Sequence, residues 1–595
     1  MTFTTRPTLR GTFGMVSSTH WLASGAASAV LERGGNAFDA AVTAGFVLHV
    51  VEPHLNGPGG ELPAVFARGD DKSPTVLCGQ GVAPAGATID HFRDLDMDLV
   101  PGAGPLAATV PGAVEAWLML LRDHGTWPLP DVLDYAIGYA RSGAPLVPRA
   151  TEGIETVRDL FTQHWPTSAA LWLPDGEAPR PYALFRNPAY ANTLRRLADE
   201  AKAAGSREAG IDAARKAWSE GFVSEAIDRF QRIPHRDSSG ADHAGVLTGQ
   251  DMAAFRATYE QPATVDFHGY TVAKTPPWGQ GPVLLQTMRL LEALDPGAAF
   301  DPSTADGAHA VAEALKLSFA DREAWYGDGG DVPLDDLLST AYAAERAGLV
   351  GTDASGVLRP GSPGGRTPRL PTVPWKDAAA AAETASLATG EPTVDRAGEV
   401  RGDTCHVDVV DRWGNIISAM PSGGWLHSSP TVPDLGFCLG TRAQMFWLEE
   451  GLASSLRPGR RPRTTLSPTL VLRDDEPVLA CGSPGGDQQD QWQLLFLLRT
   501  LVGGAELQQA IDAPMWHTTS FPGSFYPREM VPAGLVVEDR LGPEAIESLQ
   551  RRGHDVTVSG PWSLGRMCAV ARDPEAGMLT AGANPRGMQG YAIGR

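Results

Sequence analysis

The stretch Thr404-Cys405-His406-Val407-Asp408-Val409-Val410-Asp411-Arg412-Trp413-Gly414-Asn415-Ile416-Ile417-Ser418-Ala419-Met420-Pro421-Ser422-Gly423-Gly424 decides how this chain reads. Two runs of Val and Ile flank Asp411–Asn415, with Trp413 at the centre of the turn, and this predicts a β-hairpin. If Asp411 faces Asn415, counting outward places Thr404 opposite Ser422. A second hairpin is predicted from Thr464-Thr465-Leu466-Ser467-Pro468-Thr469-Leu470-Val471-Leu472 through Asp475 to Gly482-Ser483-Pro484-Gly485-Gly486. A turn centred on Asp475 puts Thr464 opposite Gly486 and Thr465 opposite Gly485. Both hairpins then carry small hydroxyl and glycine residues at their open ends. A one-residue bulge would shift either register.

Such a cluster suits acyl chemistry. A threonine hydroxyl is a weak nucleophile unless a base sits beside it, and an N-terminal threonine has its own α-amine for that purpose. The ordinary pKa of that amine, about 7.7–8.0, lies near operating pH. Backbone N–H groups of Gly485–Gly486 are the candidate oxyanion donors. Spacing alone is equally satisfied if Thr404 is only the first residue of a strand.

Upstream the texture is helical. Residues 21–50 predict two helices, the first stopped at Gly34–Gly35 and the second capped by Asn36 with Asp39 three positions on. The segment Ala40–Val51 is apolar almost all round and is expected to be buried. Helical patterns recur over 110–143, 190–232 and 305–326. Residues 354–403 are rich in Gly, Pro, Ala and Thr and read as a long exposed loop. Helix-rich sequence before it and strand-rich sequence after it imply packed α and β layers.

Composition narrows the function classes. The 595 residues are 43% hydrophobic and 20% charged, which is ordinary for a folded soluble chain with a large core. A formal net charge of −21 argues against sequence-independent nucleic-acid binding and against docking on anionic lipid. Five scattered cysteines without a CxxC pair make a cysteine zinc site and a disulfide scaffold poor readings. No His/Asp/Glu cluster has metal-ligand spacing, and no cofactor is expected. No GKS/T follows Gly485–Gly486, so the loop is not a P-loop. The first residues lack a basic start followed by an apolar stretch, and no apolar run is long enough to span a bilayer. A cytoplasmic protein is the expectation.

The motifs resemble those of the gamma-glutamyltranspeptidase family. Thr404-Cys405-His406-Val407-Asp408-Val409-Val410-Asp411 with Gly414-Asn415 resembles the start of that family's small subunit. Gly482-Ser483-Pro484-Gly485-Gly486 resembles its oxyanion-hole motif, and Thr464-Thr465-Leu466-Ser467-Pro468-Thr469 its Ser-Ser-Met-Ser-Pro-Thr. Gly34-Gly35-Asn36-Ala37-Phe38-Asp39, Val51-Glu52-Pro53-His54 and Ala320-Asp321-Arg322 match as well, all in order. The resemblance implies an α+β fold, the four-layer αββα sandwich of N-terminal nucleophile hydrolases, made as a precursor. It implies self-cleavage between Asp403 and Thr404, giving subunits 1–403 and 404–595 that remain one interlocked heterodimer. Residues 354–403 become the loop before the cut. Thr404 becomes the nucleophile, and Ser422 matches a threonine that bonds its N-terminus. A higher oligomer is compatible with the resemblance. Cys405, on the opposite face of the strand, and His406 are read as structural. Trp425, Phe446 and Trp447 either line an acyl pocket or pack in the core.

The departures concern the substrate. The family's carboxylate-binding arginine is Ile89 here. Its ammonium-binding asparagine, glutamine and aspartate become Gly424, Arg442 and Met445, the last two by a looser alignment. Losing the aspartate removes the partner of a substrate α-ammonium, and Arg442 would repel that ammonium. The expected substrate is a small-molecule amide whose acyl group is acidic and lacks an α-ammonium, with Arg442 as its fork. Relatives with this pattern include cephalosporin-acylase-like and oxamate-hydrolysing enzymes. The alternatives are a genuine gamma-glutamyltransferase or glutathione hydrolase, a C–C bond hydrolase of actinobacterial alkylproline antibiotic biosynthesis, and a non-catalytic binding scaffold.

Overall fold

The computed structural model describes residues 3–295, 300–329, 331–372, 376–377 and 404–595. Its main strands are β1 (Leu9–Gly11), β2 (Gly14–Ser18), β3 (Leu62–Ala67), β4 (Thr75–Gly79), β5 (Thr258–Glu260), β6 (Ala263–Phe267), β7 (Tyr270–Lys274), β8 (Val407–Asp411), β9 (Ile416–Ala419), β10 (Thr469–Arg473), β11 (Glu476–Gly482), β12 (Cys568–Asp573), β13 (Met578–Ala583) and β14 (Tyr591–Gly594). They form two seven-stranded sheets, ordered β14-β2-β8-β9-β3-β4-β5 and β1-β13-β12-β11-β10-β7-β6. Every pairing in both sheets is antiparallel. Both sheets mix strands from before and after Thr404, so 404–595 has no separate core.

The principal helices are α1 (Trp21–Glu32), α2 (Ala37–Val51), α3 (Ile89–Asp94), α4 (Ala113–His124), α5 (Leu129–Ser142), α6 (Pro282–Leu294), α7 (Ala305–Trp325) and α8 (Gln489–Leu497). The helices α1, α2, α4 and α5 cover the outer face of the first sheet through Val16, Leu62, Val407, Val409 and Ile417. The second sheet buries Val265, Val272, Val471 and Leu479 against α6, α7 and α8. Between the sheets lies a third apolar layer that includes Met15, Val65, Val410, Ile416, Leu470 and Val570. This is the αββα sandwich expected from the sequence.

Local chemistry fixes these elements. Asn36 and Asp39 form the capping box that starts α2, a motif worth about 1 kcal/mol. Asp39 also accepts from the Thr126 and Trp127 backbone, tying α2 to the turn before α5. All of α2 is buried, as its all-round apolar pattern predicts. Two serines cross-link the sheets: Ser17 donates to Gly582 O and Ser418 to Cys481 O.

The first hairpin has the expected register, with Val407 opposite Ala419 and Val410 opposite Ile416. The second is subtler. Its turn is the tight pair Asp474–Asp475, both at positive φ, and not a loop centred on Asp475. The ladder then shifts between Val471 and Leu472, which restores the counted pairing of Thr469 with Cys481. Beyond Pro468, which cannot donate to a ladder, the chain departs from this hairpin. Thr464 bridges Gly279, not the expected Gly486.

Candidate active site

At the open end of the first hairpin the ladder continues past Ala419 as isolated bridges. Ser422 bridges Thr404 on one side and Glu61 on the other. Glu61 N donates to Ser422 O at 2.8 Å, and Ser422 N to Glu61 O at 3.1 Å. Residues directly opposite share a sheet face, so Thr404, Ser422 and Glu61 form one row. Thr404 Oγ1 lies 3.2 Å from Ser422 Oγ. Gln489 Nε2 at the start of α8 donates to Thr404 Oγ1 at 3.4 Å. Thr404 is fully buried. Asp403 lies outside the described residues.

Arg442, on a short turn over Arg442–Met445, closes this row from above. Its Nε donates to Glu61 Oε1 and its Nη2 to Ser422 Oγ. The guanidinium carbon sits 5.2 Å from the Trp425 ring centre and 5.6 Å from that of Phe525. Burial raises the Glu61 carboxyl above its ordinary range, and Arg442 opposes that rise. Sequence reasoning placed Arg442 as a fork for a substrate carboxylate. In the structure both edges that a carboxylate would grip bidentately have a nitrogen engaged with the protein.

The loop after β11 leads into α8, whose Gln489 reaches Thr404. Gly485 and Gly486 have φ of 132° and 50°, where side chains are strained. A Cβ on Gly485 would lie 2.2 Å from the Trp492 ring, so the chain passes there only as glycine. Asp487 anchors the loop through a buried ion pair with Arg322 of α7. Ser524 donates to Asp487 from its backbone N–H at 2.8 Å and its hydroxyl at 2.6 Å. Arg322 also donates to Glu323, and Arg463 shares that carboxylate. Burial pushes the Asp487 carboxyl up, but Arg322, the two Ser524 hydrogen bonds and Arg463 together hold it below its ordinary range.

The remaining expected site residues have definite places. Ile89 begins α3 and packs with Ala443, Phe446 and Leu456, immediately past Arg442. It also lines a cleft of about 620 Å³ with Arg369, Glu450 and Arg457. Met445 is buried at the end of the Arg442 turn. Gly424, at φ 63°, has its Cβ position 2.9 Å from Gly60 N, which explains why no asparagine fits here without a shift. Thr465 Oγ1 is buried without a hydrogen-bond partner among the described residues. Trp425, Phe446 and Trp447 are all buried.

Cys405 points to the helix layer, where its thiol donates to Glu52 Oε2 at 3.1 Å, and burial pushes that thiol well above its ordinary pKa. A thiol so placed is neutral and turned away from the row, as expected. His406 Nε2 lies 2.7 Å from Asp408 Oδ1 between the sheets, and its ring fills the space a Gly482 Cβ would need.

A hydroxyl flanked by a second hydroxyl, a glycine loop at a helix start and a desolvated cation has the parts needed for acyl transfer. A family model for gamma-glutamyltranspeptidase matches residues 23–594. The chain belongs to the gamma-glutamyltranspeptidase family. It is 31% identical over 589 residues to the glutathione hydrolase-like YwrD proenzyme of Bacillus subtilis, covering 98% of this chain and 99% of that one. It is similar to the solved structure of LmbA2991HD, with 59% identity, full coverage of both chains and a TM-score of 0.94. It also resembles cephalosporin acylase from Bacillus halodurans at 27% identity and TM-score 0.82, covering 100% of this chain and 97% of that one. The chain is thus an enzyme of the gamma-glutamyltranspeptidase family with the N-terminal nucleophile hydrolase fold.

Sequence reasoning missed Glu61 and Gln489. The signal for Glu61 was the run Gly57-Pro58-Gly59-Gly60. A Cβ on Gly60 would meet Ser422 O at 1.9 Å, so these glycines mark a close approach to the 422–424 turn. His309, Glu313 and His554 also converge, with ligand atoms within 4.8 Å of one another. Their sequence separation hid them. Glu313 is already held by Lys316 and Arg359, and the two imidazoles bond each other.

Proposed function

We propose that the protein is a self-processing N-terminal threonine hydrolase that cleaves amide-type bonds through an acyl-enzyme on Thr404. The observation that carries this reading is the position of Thr404 Oγ1, buried 3.2 Å from Ser422 Oγ and bonded by Gln489 at the start of α8. In the precursor the Thr404 hydroxyl adds to the Asp403 carbonyl carbon. The Asp403–Thr404 C–N bond breaks, and an ester to Thr404 Oγ1 forms. Breaking that bond frees the Thr404 α-amine, and water then hydrolyses the ester to the Asp403 carboxylate and the Thr404 hydroxyl. The free amine then takes the hydroxyl proton as Thr404 attacks a substrate carbonyl, and delivers it to the leaving amine. Water regenerates the hydroxyl. N–H groups of the Gly485–Gly486 loop are the source of oxyanion stabilisation in both reactions. The two subunits stay together because each of the two sheets takes strands from both. Kinship with a proenzyme and with an acylase supports this reading.

The acyl group carries no α-ammonium. Ile89, Gly424 and Met445 supply no charge, and the carboxylate of this wall, Glu61, is spent on Arg442. Glutaryl, which is gamma-glutamyl without the α-ammonium, is therefore the first candidate. Intact mass of purified protein beside Thr404→Ala tests the nucleophile: fragments breaking at 403/404 in the parent only are expected, and cutting in the variant refutes it. Glutaryl-p-nitroanilide is expected to exceed gamma-glutamyl-p-nitroanilide at least about tenfold in kcat/KM. Equal or reversed rates refute the assignment of the acyl group.

A further inference from the structure

We infer that Glu61 is a positioning residue for Thr404, acting through Arg442 and Ser422. The inference rests on the reading of Thr404 as nucleophile. The four residues form a continuous buried chain: Glu61 Oε1 accepts from Arg442 Nε, Arg442 Nη2 donates to Ser422 Oγ at 2.5 Å, and Ser422 Oγ lies 3.2 Å from Thr404 Oγ1. None exceeds 1% exposure. Trp425 and Phe525 cover the guanidinium. A Cβ on Gly423 would stand 2.6 Å from Glu61 Oε2, so the left-handed glycine leaves the room that the carboxylate occupies.

The chemistry gives this chain a direction. Arginine only donates, so Ser422 Oγ accepts from Arg442, and its hydroxyl can donate to an acceptor within reach. Thr404 Oγ1 stands within reach to be that acceptor. A hydrogen bond into Thr404 Oγ1 stabilises the negative charge that grows there as its proton leaves. Glu61 accepts from Arg442 Nε and so holds the guanidinium in the orientation that presents Nη2 to Ser422. A buried ion pair adds little net stability compared with apolar residues of the same size, whereas its effect on the geometry of a nucleophile is large.

The test is a double-mutant cycle. Self-cleavage rates by intact mass, and kcat and KM on glutaryl-p-nitroanilide, are measured for the parent, Glu61→Gln, Ser422→Ala and the double variant. Glu61→Gln is expected to slow cleavage and kcat about 10- to 100-fold with KM changed less than about threefold. In the Ser422→Ala background the same change is expected to cost less than about twofold, because the relay is already broken. Additive losses, a Glu61→Gln rate within about twofold of the parent, or a rise in KM alone overturn the inference. If Glu61→Gln does not fold because Arg442 is stranded, Glu61→Gln/Arg442→Gln removes both charges. Slow cleavage with normal melting then supports the relay, and normal cleavage overturns it. Thr404→Ala separates the two levels: cutting in that variant refutes the nucleophile itself, whereas an uncut Thr404→Ala beside a normal Glu61→Gln refutes only the role of Glu61.

Discussion

Glu52 offers the most quantitative test of the electrostatics beneath the site. Its carboxylate is fully buried and accepts from Thr19 Oγ1 at 2.6 Å, Cys405 Sγ at 3.1 Å and Gln589 Nε2 at 2.7 Å. All three donors are neutral. Burial pushes its pKa from the ordinary 4.5 up to about 7, and the hydrogen bonds offset only part of that. The folded state therefore holds the proton more tightly than the unfolded chain. The stability contribution is fully present below pH 4.5 and is lost as pH rises through about 7. At about 1.4 kcal/mol per pH unit, ionising Glu52 in the folded state costs about 3 kcal/mol once the pH is well above 7. Glu52→Gln keeps the shape and removes the charge. Thermal melting of parent and variant at several pH values between 5 and 8.5 measures the difference. Every other group titrates alike in both proteins, so the gap isolates this carboxyl. The variant is expected to gain on the parent as pH rises, by the equivalent of about 3 kcal/mol. A gap that stays constant across this range refutes the argument.

Four further outcomes are expected. Gly485→Ala forces a Cβ to 2.2 Å from the Trp492 ring at a φ of 132°. It should cost about 2–5 kcal/mol and abolish self-cleavage, read by melting and intact mass; a well-folded variant that is cut normally contradicts this. Arg322→Met leaves the buried Asp487 without its ion-pair partner and Glu323 with Arg463 alone, and should cost about 3–5 kcal/mol, checked by chemical denaturation. Because all five cysteines are free and buried, a thiol reagent should label none of them in the native protein and all in denaturant. Cys405→Ala should still be cut, since its thiol faces the helix layer.

How much of this was legible depended on whether the information lay along the chain or across it. The capping box at Asn36 and Asp39, the buried α2 and the Thr404–Ser422 register are local patterns with local causes, and each followed from residue type and spacing. The second hairpin shows how a local argument reaches a correct pairing by an incorrect path. Counting from a turn at Asp475 gives Thr469 opposite Cys481, but the structure arrives there through a tighter Asp474–Asp475 turn and a compensating shift at Val471/Leu472. The extrapolation beyond that point fails at Pro468, where Thr464 leaves for Gly279.

Glu61 marks the harder limit. Its place beside Ser422 depends on β3 pairing with β9, and no periodicity within either segment names the partner strand. Once that pair is known, the continuing register from Ala64–Ala419 carries Glu61 to Ser422 and hence into the row of Thr404. Arg442 shows the same limit in terms of charge. From sequence it was an isolated cation at an altered position, which invited a substrate carboxylate as its complement. The complement was already in the chain, delivered by a strand hundreds of residues away. A charge that looks unpaired along a sequence defines a ligand only after each neighbouring strand at its level has been searched for the counter-charge.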